Sequence, residues 1–207
     1  TLNIKSKYPL IIYSNEFFDC FPVRHFQLKN FWSERFVSYN KNDDYFYFKY
    51  KKINNKKILS LLNNQYLKEG IAEVSLERNR YFDKICKLIK KNKGIFITID
   101  YGYFENISNF TLQAIHKHKY ANILENLGNQ DISSHVDFKS FINIAKSHDL
   151  KIDEFCSQRD FLIKYGILER MNNVSKLMNK IDQESIKLEV KKLINKKEMG
   201  ELFKFLI

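Results

Sequence analysis

Two short apolar segments limit the folds open to this 207-residue chain most strongly. Residues 9–14 read PLIIYS and residues 95–99 read IFITI, and a helical pattern lies between them at residues 75–92. Continuous apolar runs of this length are typical of strands that are buried on both faces of a sheet. Because such strands alternate with helices, the sequence predicts an α/β fold with a largely parallel sheet.

The rest of the chain supplies further elements around this sheet. Residues 31–39 and 45–50 are aromatic-rich and predict a β-hairpin, because residues 40–44 (NKNDD) are turn formers. Further strands are predicted at residues 71–74, 150–156 and 202–207, and helices at residues 59–68, 111–116, 137–148 and 158–164 and in two pieces at 167–193. Residues 103–134 are otherwise predicted to be loop. No repeat or linker divides the sequence, so we expect a single domain over residues 1–207 with an insertion at about residues 26–70.

The net charge of +11 raises the question of nucleic-acid binding. The basic residues are mostly lysines in short scattered runs, which favours solvated surfaces over a phosphate-reading site. We therefore expect no specific nucleic-acid site and keep weak, non-specific RNA binding as an alternative. No apolar run approaches the roughly 20 residues needed to span a bilayer, so no membrane partner is expected.

Metal and disulfide chemistry finds little support in the sequence. Cys20, Cys86 and Cys156 lie far apart, and no pair of them has the spacing of metal ligands. His116 and His118 are two residues apart, but no third ligand has a convincing spacing. We therefore predict that the chain holds no metal.

A polar cluster follows the first predicted strand. Asn15, Glu16 and Asp19 come directly after it, where open α/β sheets place their ligand sites. Two carboxylates three residues apart on a helical turn can bind a guanidinium through charge-assisted hydrogen bonds. Alternatively, Asn15 is a helix N-cap and Glu16 only complements the helix dipole. The residues alone leave both interpretations open.

A second group of polar residues follows the strand at residues 95–99. Asp100, Tyr101 and Tyr103 leave this strand together and either line the same crevice or form an ordinary exit from the strand. Further along, His135 is a candidate acid, base or substrate contact. Asp137 precedes a predicted helix, so an N-cap role explains it well.

The six glycines contain no Gly-x-Gly arrangement. A doubly wound nucleotide-binding fold normally has such a turn after its first strand. The sequence therefore offers no cofactor-binding loop of its own.

Several segments, in order along the chain, carry a family resemblance. They are SNEFFD at residues 14–19, WSER at 32–35, EVS at 73–75, IDYGY at 99–103, TLQA at 111–114, HKY at 118–120, LEN at 124–126, HVDF at 135–138 and MGELFK at 199–204. Together they resemble the MidA-like methyltransferases, the family of a mitochondrial complex I assembly factor that methylates an arginine of a core subunit. The resemblance covers nearly the whole chain.

This resemblance implies both a fold and a site. The chain is similar to the C-terminal portion of a class I methyltransferase. It would be a partial Rossmann-like sheet that lacks its N-terminal strands, with a β-hairpin insertion and C-terminal helices. Asn15, Glu16 and Asp19 are implied as catalytic residues, while Asp100, Tyr101, Tyr103, His135 and Asp137 are implied as substrate-binding residues.

The resemblance also implies a cofactor and partners. S-adenosylmethionine serves the full-length family, but family members hold it through an N-terminal region, so we expect this chain alone to be truncated, inactive and without bound cofactor. The candidate partners are a protein substrate (a respiratory complex I subunit in the family), a missing N-terminal half and a second copy of the chain. The expected location is the cytoplasm of a bacterium or the mitochondrial matrix. The alternative is a non-catalytic remnant that only binds proteins.

Overall fold

Twelve strands and seven helices form among residues 4, 6–66, 70–105 and 107–207, which the computed structural model describes. The strands are β1 (Ile11–Asn15), β2 (Arg24–Leu28), β3 (Trp32–Asn40), β4 (Tyr45–Lys52), β5 (Ile71–Val74), β6 (Ile95–Tyr103), β7 (Gln113–His116), β8 (Lys119–Ala121), β9 (Asp131–Ser133), β10 (Val136–Asp137), β11 (Phe155–Ser157) and β12 (Phe203–Leu206). The helices are α1 (Lys56–Tyr66), α2 (Leu76–Asn92), α3 (Phe138–Ser147), α4 (Gln158–Lys164), α5 (Ile167–Ser175), α6 (Lys180–Ile194) and α7 (Met199–Leu202). None of these helices is long and apolar enough to cross a membrane.

The polypeptide divides into two compact units. The first contains the residues up to 17 together with residues 82–103 and 136–207, and the second contains residues 18–81 and 104–135. The insertion predicted at about residues 26–70 lies inside the second unit. The expectation of a single domain over residues 1–207 stays a prediction.

The sheet of the first unit is built around β6. Its strand order is β1-β6-β12-β11, and β10 also pairs with β6. The two strands predicted from apolar runs are confirmed, and they pair in parallel with Ile11 opposite Ile95. The prediction of a largely parallel sheet is wrong, because β12 is antiparallel to β6 and β11 is antiparallel to β12. An apolar run reports burial on both faces of a sheet and carries no information on strand direction.

Helices cover both faces of this sheet near its centre. On one face Phe82 of α2 stacks on Phe141 of α3 at 4.0 Å between ring centroids and lies against Phe96 of β6 at 5.9 Å. On the other face Phe205 of β12 stacks on Phe161 of α4 at 3.9 Å. Aromatic packing therefore fixes β6 and β12 between two helical layers.

Strand β1 forms the edge of the sheet. Among the described residues it pairs only with β6, and Ile11 and Tyr13 are 76% and 61% exposed. Apolar side chains on an unpaired edge are unusual in a finished sheet. The expectation that N-terminal strands are missing from this sheet stays a prediction.

The second unit contains an antiparallel sheet with the order β4-β3-β2-β5. The predicted hairpin is confirmed as β3 and β4, and one sheet face packs Phe26, Trp32 and Ala72 against Leu62 of α1. Strand β2 was not predicted. Its sequence RHFQL places polar residues on the second face of the sheet, so it lacks the continuous apolar run that identified β1 and β6.

A second, three-stranded antiparallel sheet with the order β8-β7-β9 also belongs to this unit. The helix predicted at residues 111–116 is therefore wrong, because Gln113–His116 form strand β7. Lys117 and His118 link β7 to β8 with φ angles of 50° and 62°, as a two-residue hairpin turn requires. Asn-Gly or Asp-Gly is the usual sequence signal for such a turn. Because neither occurs here, the sequence did not predict the hairpin.

Other element boundaries differ by a few residues. Helix α1 begins at Lys56 instead of residue 59, because the Asn55 side chain accepts hydrogen bonds from the N–H groups of Lys57 and Ile58. The predicted C-terminal end of this helix, at residue 68, lies outside the described residues. The strand predicted at residues 150–156 is shorter, at Phe155–Ser157. The helices α2, α3, α4, α5 and α6 confirm the remaining helical predictions.

Gly102 permits the close approach of β10 to β6. A Cβ atom at Gly102 would lie 2.3 Å from the carbonyl oxygen of Val136 and 2.8 Å from the Phe138 ring. We expect Gly102→Ala to lower the free energy of unfolding by about 3 kcal/mol, because a backbone oxygen cannot rotate away. Gly128→Ala is the control: a Cβ there meets no atom within 4 Å, so only its positive φ is penalised, by about 1 kcal/mol. If urea unfolding gave the same loss of unfolding free energy for both variants, the close approach at Gly102 would not be its cause.

Candidate functional site

The chain turns sharply where β1 ends, and this turn presents Asn15 and Glu16 to solvent. Glu16 has a φ of +46°, and its N–H donates to the carbonyl of Ile99 at 3.0 Å. A left-handed backbone is uncommon for a residue other than glycine and often accompanies function. The Glu16 carboxylate is exposed, with the Asn15 amide nitrogen 3.5 Å away.

The residues after Glu16 form bends and turns instead of a helix up to residue 21. Three expectations are corrected by this. Asn15 is not a helix N-cap, and Glu16 complements no helix dipole at this position. Glu16 and Asp19 also do not share a helical turn, since the positive φ at Glu16 breaks the helical path.

Asp100 is fully buried beneath the turn. Its carboxylate accepts hydrogen bonds from the N–H of Phe17 at 3.2 Å and from the N–H of Tyr101 at 3.0 Å. Charged acceptors hold such N–H groups strongly because the site is removed from water. Asp100 is thus placed to support the turn that carries Glu16, and a direct contact with a substrate stays an untested prediction.

The other predicted residues of the first unit lie along β6 and at the start of α3. Tyr101 packs edge-on against Phe203 at 5.4 Å, and Tyr103 pairs with Asp137 through β10. Asp137 caps α3, since its carboxylate accepts from the N–H of Ser140 at 3.1 Å and from its hydroxyl at 2.6 Å. The N-cap interpretation of Asp137 is confirmed, whereas a role in substrate binding stays a prediction.

In the second unit a buried arginine brings the surroundings of Asp19 and His135 together. Arg78 of α2 donates to the carbonyl of Phe18 at 2.8 Å, to that of His135 at 2.9 Å and to the hydroxyl of Ser134 at 2.8 Å. The N–H of Ser134 donates to the carbonyl of Asp19 at 2.9 Å. The segments that carry Asp19 and His135 are therefore fixed by one guanidinium.

A buried carboxylate, Glu73 of β5, organises the other side of this unit. It accepts hydrogen bonds from His25 Nε2 at 2.8 Å, from the N–H groups of Thr111 at 3.0 Å and Leu112 at 3.3 Å, and from the Thr111 hydroxyl. Burial acts to raise the pKa of Glu73, but the hydrogen bonds from His25 and Thr111 outweigh it, so the pKa is lowered. Glu73 is therefore ionised at neutral pH.

His25 links this carboxylate to a cation. Arg35 Nη2 lies 2.7 Å from His25 Nδ1, and the guanidinium lies between the rings of Phe48 at 4.0 Å and Phe110 at 4.5 Å. Arginine can only donate hydrogen bonds, so Nδ1 of His25 accepts one from Arg35. Nε2 of His25 then donates a hydrogen bond to the Glu73 carboxylate. These two contacts fix the orientation of the imidazole.

His135 borders an open cavity of about 440 Å³ lined by residues 107–113. Its N–H donates to the Thr111 hydroxyl at 2.8 Å. Burial lowers the pKa of His135, and this effect and the charge of Arg78 together outweigh the opposing effect of Glu73. The imidazole is therefore neutral at pH 7.

Sequence reasoning missed the two charged residues that support these segments, Glu73 and Arg78. EVS at residues 73–75 contributed to the family resemblance without a role, and Arg78 was given none. In the structure Ser75 caps α2, with Ser75 Oγ accepting from the N–H of Arg78 at 3.2 Å. The one available signal was the presence of a Glu and an Arg at positions that the strand and helix patterns bury.

The described residues support neither a metal site nor a nucleophilic thiol at Cys86. No group of three or more His, Cys, Asp or Glu side chains among them could hold a metal ion. A cavity of about 170 Å³ in the first unit is lined mainly by apolar side chains such as Ile85 and Phe96, together with Cys86. Burial raises the pKa of the Cys86 thiol to about 12, so it is not a nucleophile at neutral pH.

The glycines provide no cradle for a nucleotide-like cofactor. At Gly94, Gly102 and Gly200 an added Cβ would meet backbone atoms within 2.7 Å, so these glycines serve close chain packing. Gly70, Gly128 and Gly166 have positive φ angles and lie apart in the sequence. The residues present do not fit the loop that holds such a cofactor in α/β folds.

Comparison with known proteins identifies the family. The model of a family described as "putative S-adenosyl-L-methionine-dependent methyltransferase" matches residues 2–156. The chain belongs to this family. The mitochondrial protein arginine methyltransferase NDUFAF7 homologue of Caenorhabditis elegans is 26% identical over 167 residues, which are 79% of this chain and 39% of that protein. The homologue of Drosophila melanogaster is 27% identical over 208 residues, covering 95% and 46%.

Solved structures share the fold. A Burkholderia thailandensis protein bound to S-adenosyl-homocysteine matches 100% of this chain and 55% of its own with a TM-score of 0.80 at 22% identity. A second structure of a protein from that organism matches with a TM-score of 0.81 and 23% identity, covering 99% of this chain and 56% of its own. The chain thus spans less than half the length of the two curated relatives and just over half the length of these structures.

The lowered pKa of Glu73 predicts a pH-dependent stability. A carboxyl whose folded pKa is depressed stabilises the fold above its unfolded pKa, and this contribution is lost as the pH falls through the folded pKa. We expect Glu73→Gln to lower the free energy of unfolding by roughly 2–3 kcal/mol at pH 7. The difference from the unmodified chain should shrink below about pH 4.

Urea unfolding of both proteins between pH 7 and pH 3 measures this difference. Glu184→Gln, at an exposed position of α6, is the control and should leave stability unchanged at every pH. A constant difference between the Glu73 variant and the unmodified chain over this range would contradict an ionised, hydrogen-bonded Glu73.

Proposed function

We propose that this chain carries the target-binding part of a methyltransferase that modifies arginine side chains of a protein. The observation that supports this most is the exposed Glu16 carboxylate, held on a left-handed backbone at the carboxyl end of β1. Parallel strands place ligand sites at this end of a sheet. The NDUFAF7 homologues, which are named as arginine methyltransferases, extend the proposal to the type of target.

A guanidinium suits this position chemically. Its planar set of N–H donors matches a carboxylate through two parallel hydrogen bonds. The side-chain amide oxygen of Asn15 offers a further acceptor beside Glu16. Asp100 fixes the N–H of Phe17 from below, so the turn does not need to reorganise when a cation binds. Glu16 would therefore orient one edge of the guanidinium and leave its remaining nitrogen for reaction.

Within the second unit, taken by itself, Asp19 and His135 keep proposed roles: Asp19 as a carboxylate for a cationic target, and neutral His135 as a base beside the cavity lined by residues 107–113. Both roles depend on Arg78. Its guanidinium donates hydrogen bonds to the main-chain carbonyl of Phe18, which precedes Asp19, and to that of His135. Arg78 is a positioning residue in this proposal, since its guanidinium hydrogen-bonds to protein carbonyl groups.

The methyl donor is proposed to be held by residues outside these 207. The family uses S-adenosylmethionine, but the glycines of this chain are used for packing and isolated turns. We therefore propose that the chain alone is inactive. The resemblance described above further suggests a respiratory complex I subunit as the target and the mitochondrial matrix or a bacterial cytoplasm as the location.

Charge removal at the cluster after β1 tests the proposal. In a methyltransferase that combines these residues with the donor-binding part, we expect Glu16→Gln and Asp19→Asn each to slow single-turnover methylation roughly tenfold or more. The reason is that a charge-assisted hydrogen bond contributes about 1.5–3 kcal/mol. For Glu16→Gln the melting temperature should stay within about 2 °C, because the Glu16 carboxylate is exposed, whereas Asp19 is buried, so a melting curve must accompany each assay of its variant.

The matched control is Glu184→Gln, which removes an exposed carboxylate far along the chain and should leave methylation unchanged. Full activity in both the Glu16 and the Asp19 variants would remove the basis for a site at this position. Loss of activity together with a large fall in melting temperature would instead indicate a structural role.

A further inference from the structure

Strand β4 leaves one edge of the second unit's sheet open. It pairs with β3 along its whole length of eight residues and with no other strand of the described chain. Its sequence YFYFKYKK contains no proline, and Tyr45, Phe46, Tyr47 and Tyr50 are 37–49% exposed. A long, straight edge with exposed aromatic side chains is a template for pairing with another strand.

The two faces of β4 have different chemistry. Phe46, Phe48 and Tyr50 share one face with Val37 and Tyr39 of β3, because the register places them opposite one another. The other face of β4 carries Tyr45, Tyr47, Lys49 and Lys51 in that order. The first face also carries Lys52 of β4 and Arg35 of β3, whose guanidinium lies 4.0 Å from the Phe48 ring. On the other face of β4 the tyrosines precede the lysines.

We propose that β4 pairs antiparallel with β4 of a second copy of this chain, about a twofold axis at Phe48. A twofold axis perpendicular to the joined sheet places side chains of the same face opposite one another. With the axis at Phe48, Phe46 lies opposite Tyr50 of the second copy, and Phe48 lies opposite its own equivalent. This inference does not rest on the proposed function.

Pairing of lysines with tyrosines favours this register and a second copy as the occupant. Tyr45 then lies opposite Lys51 of the second copy, and Tyr47 opposite Lys49, so each lysine lies beside an aromatic ring. The turn residue Asp44 comes beside Lys52 of the second copy. No lysine lies opposite another lysine, and the strand is therefore complementary to itself.

The neighbouring symmetric registers are poorer. An axis at Lys49 places that lysine directly opposite its own equivalent, and like charges in this position oppose pairing. An axis at Tyr47 pairs only residues 45–49 of each strand. The register centred on Phe48 pairs residues 45–51 without a like-charge contact, so it is the one the sequence of β4 favours.

Sedimentation velocity over roughly 1–100 µM tests the proposal on the whole 207-residue chain. An interface of this limited length is expected to give a reversible dimer with a dissociation constant on the order of micromolar. Tyr47→Lys places a lysine of each copy opposite Lys49 of the other copy. This like-charge contact should weaken dimerisation at least tenfold. The double variant Tyr47→Lys with Lys49→Glu restores opposite charges and should recover the dimer.

The matched control is Tyr13→Lys, the same substitution at an exposed position of the other open edge, β1. It should leave the dimer intact. A chain that stays monomeric at 100 µM would overturn the proposal, and so would a dimer that Tyr13→Lys dissociates while Tyr47→Lys does not. A monomer whose β4 binds single-stranded RNA, with loss of binding in Tyr47→Lys, would also overturn it.

Cysteine cross-linking gives a second readout that does not depend on affinity. In a Cys20→Ser background, which removes the exposed native thiol, Phe48→Cys places two thiols opposite each other at the axis, where facing Cβ atoms are about 4.5–5.5 Å apart. Mild oxidation should convert most of this variant to a covalent dimer. Tyr45→Cys should not cross-link, because its equivalents are six residues of strand apart, and preferential cross-linking at Tyr45 would contradict the register.

Discussion

The second unit depends on one buried carboxylate. Glu73 receives hydrogen bonds from β2 through His25 and from residues 111 and 112, and the same Thr111 hydroxyl accepts the N–H of His135. An ionised carboxylate can remain buried only when donors replace its water. The sheet, the cavity wall at residues 107–113 and the main chain of His135 are thus coupled through a single side chain.

Arg78 complements this arrangement with a buried cation. Its guanidinium binds the carbonyl groups of Phe18 and His135 and the side chain of Ser134, so it holds segments that are far apart in the sequence. In the first unit Asp100 has the corresponding function, since it fixes the N–H groups of Phe17 and Tyr101. The proposed contact residues are therefore supported by buried charges that hydrogen-bond to the main chain, an arrangement that positions a site without reorganisation.

The sequence predicted the elements whose signals are local. The apolar runs identified β1 and β6, the helical periodicity identified α2 and α3, and the NKNDD turn identified the β3–β4 hairpin. It failed for β7 and β8, where a turn with two positive φ angles lacks glycine, and for the directions of β11 and β12, which depend on tertiary pairing. The directions of β11 and β12 are set by contacts between distant residues, which no local pattern reports.

In the candidate site, too, the sequence predicted features with local signals and missed those that depend on long-range contacts. The polar residues after β1 and β6 were predicted from the position of ligand sites in α/β sheets, and the structure places Glu16 in an exposed turn and Asp100 beneath it. The helix expected after Asn15 does not form, because the N–H of Glu16 bonds to β6. Glu73 and Arg78 were not predicted as supports, since their partners at residues 18, 111 and 135 lie far from them in the sequence.

We propose that the residues around Glu16 bind the target arginine and do not hold the methyl donor by themselves. Calorimetric titration of the 207-residue chain with S-adenosylhomocysteine distinguishes the two roles, with an arginine-containing peptide and its lysine-substituted counterpart titrated in parallel. We expect no measurable binding of S-adenosylhomocysteine and a preference for the arginine peptide. Micromolar affinity for S-adenosylhomocysteine, with no discrimination between the peptides, would show that the proposal is wrong.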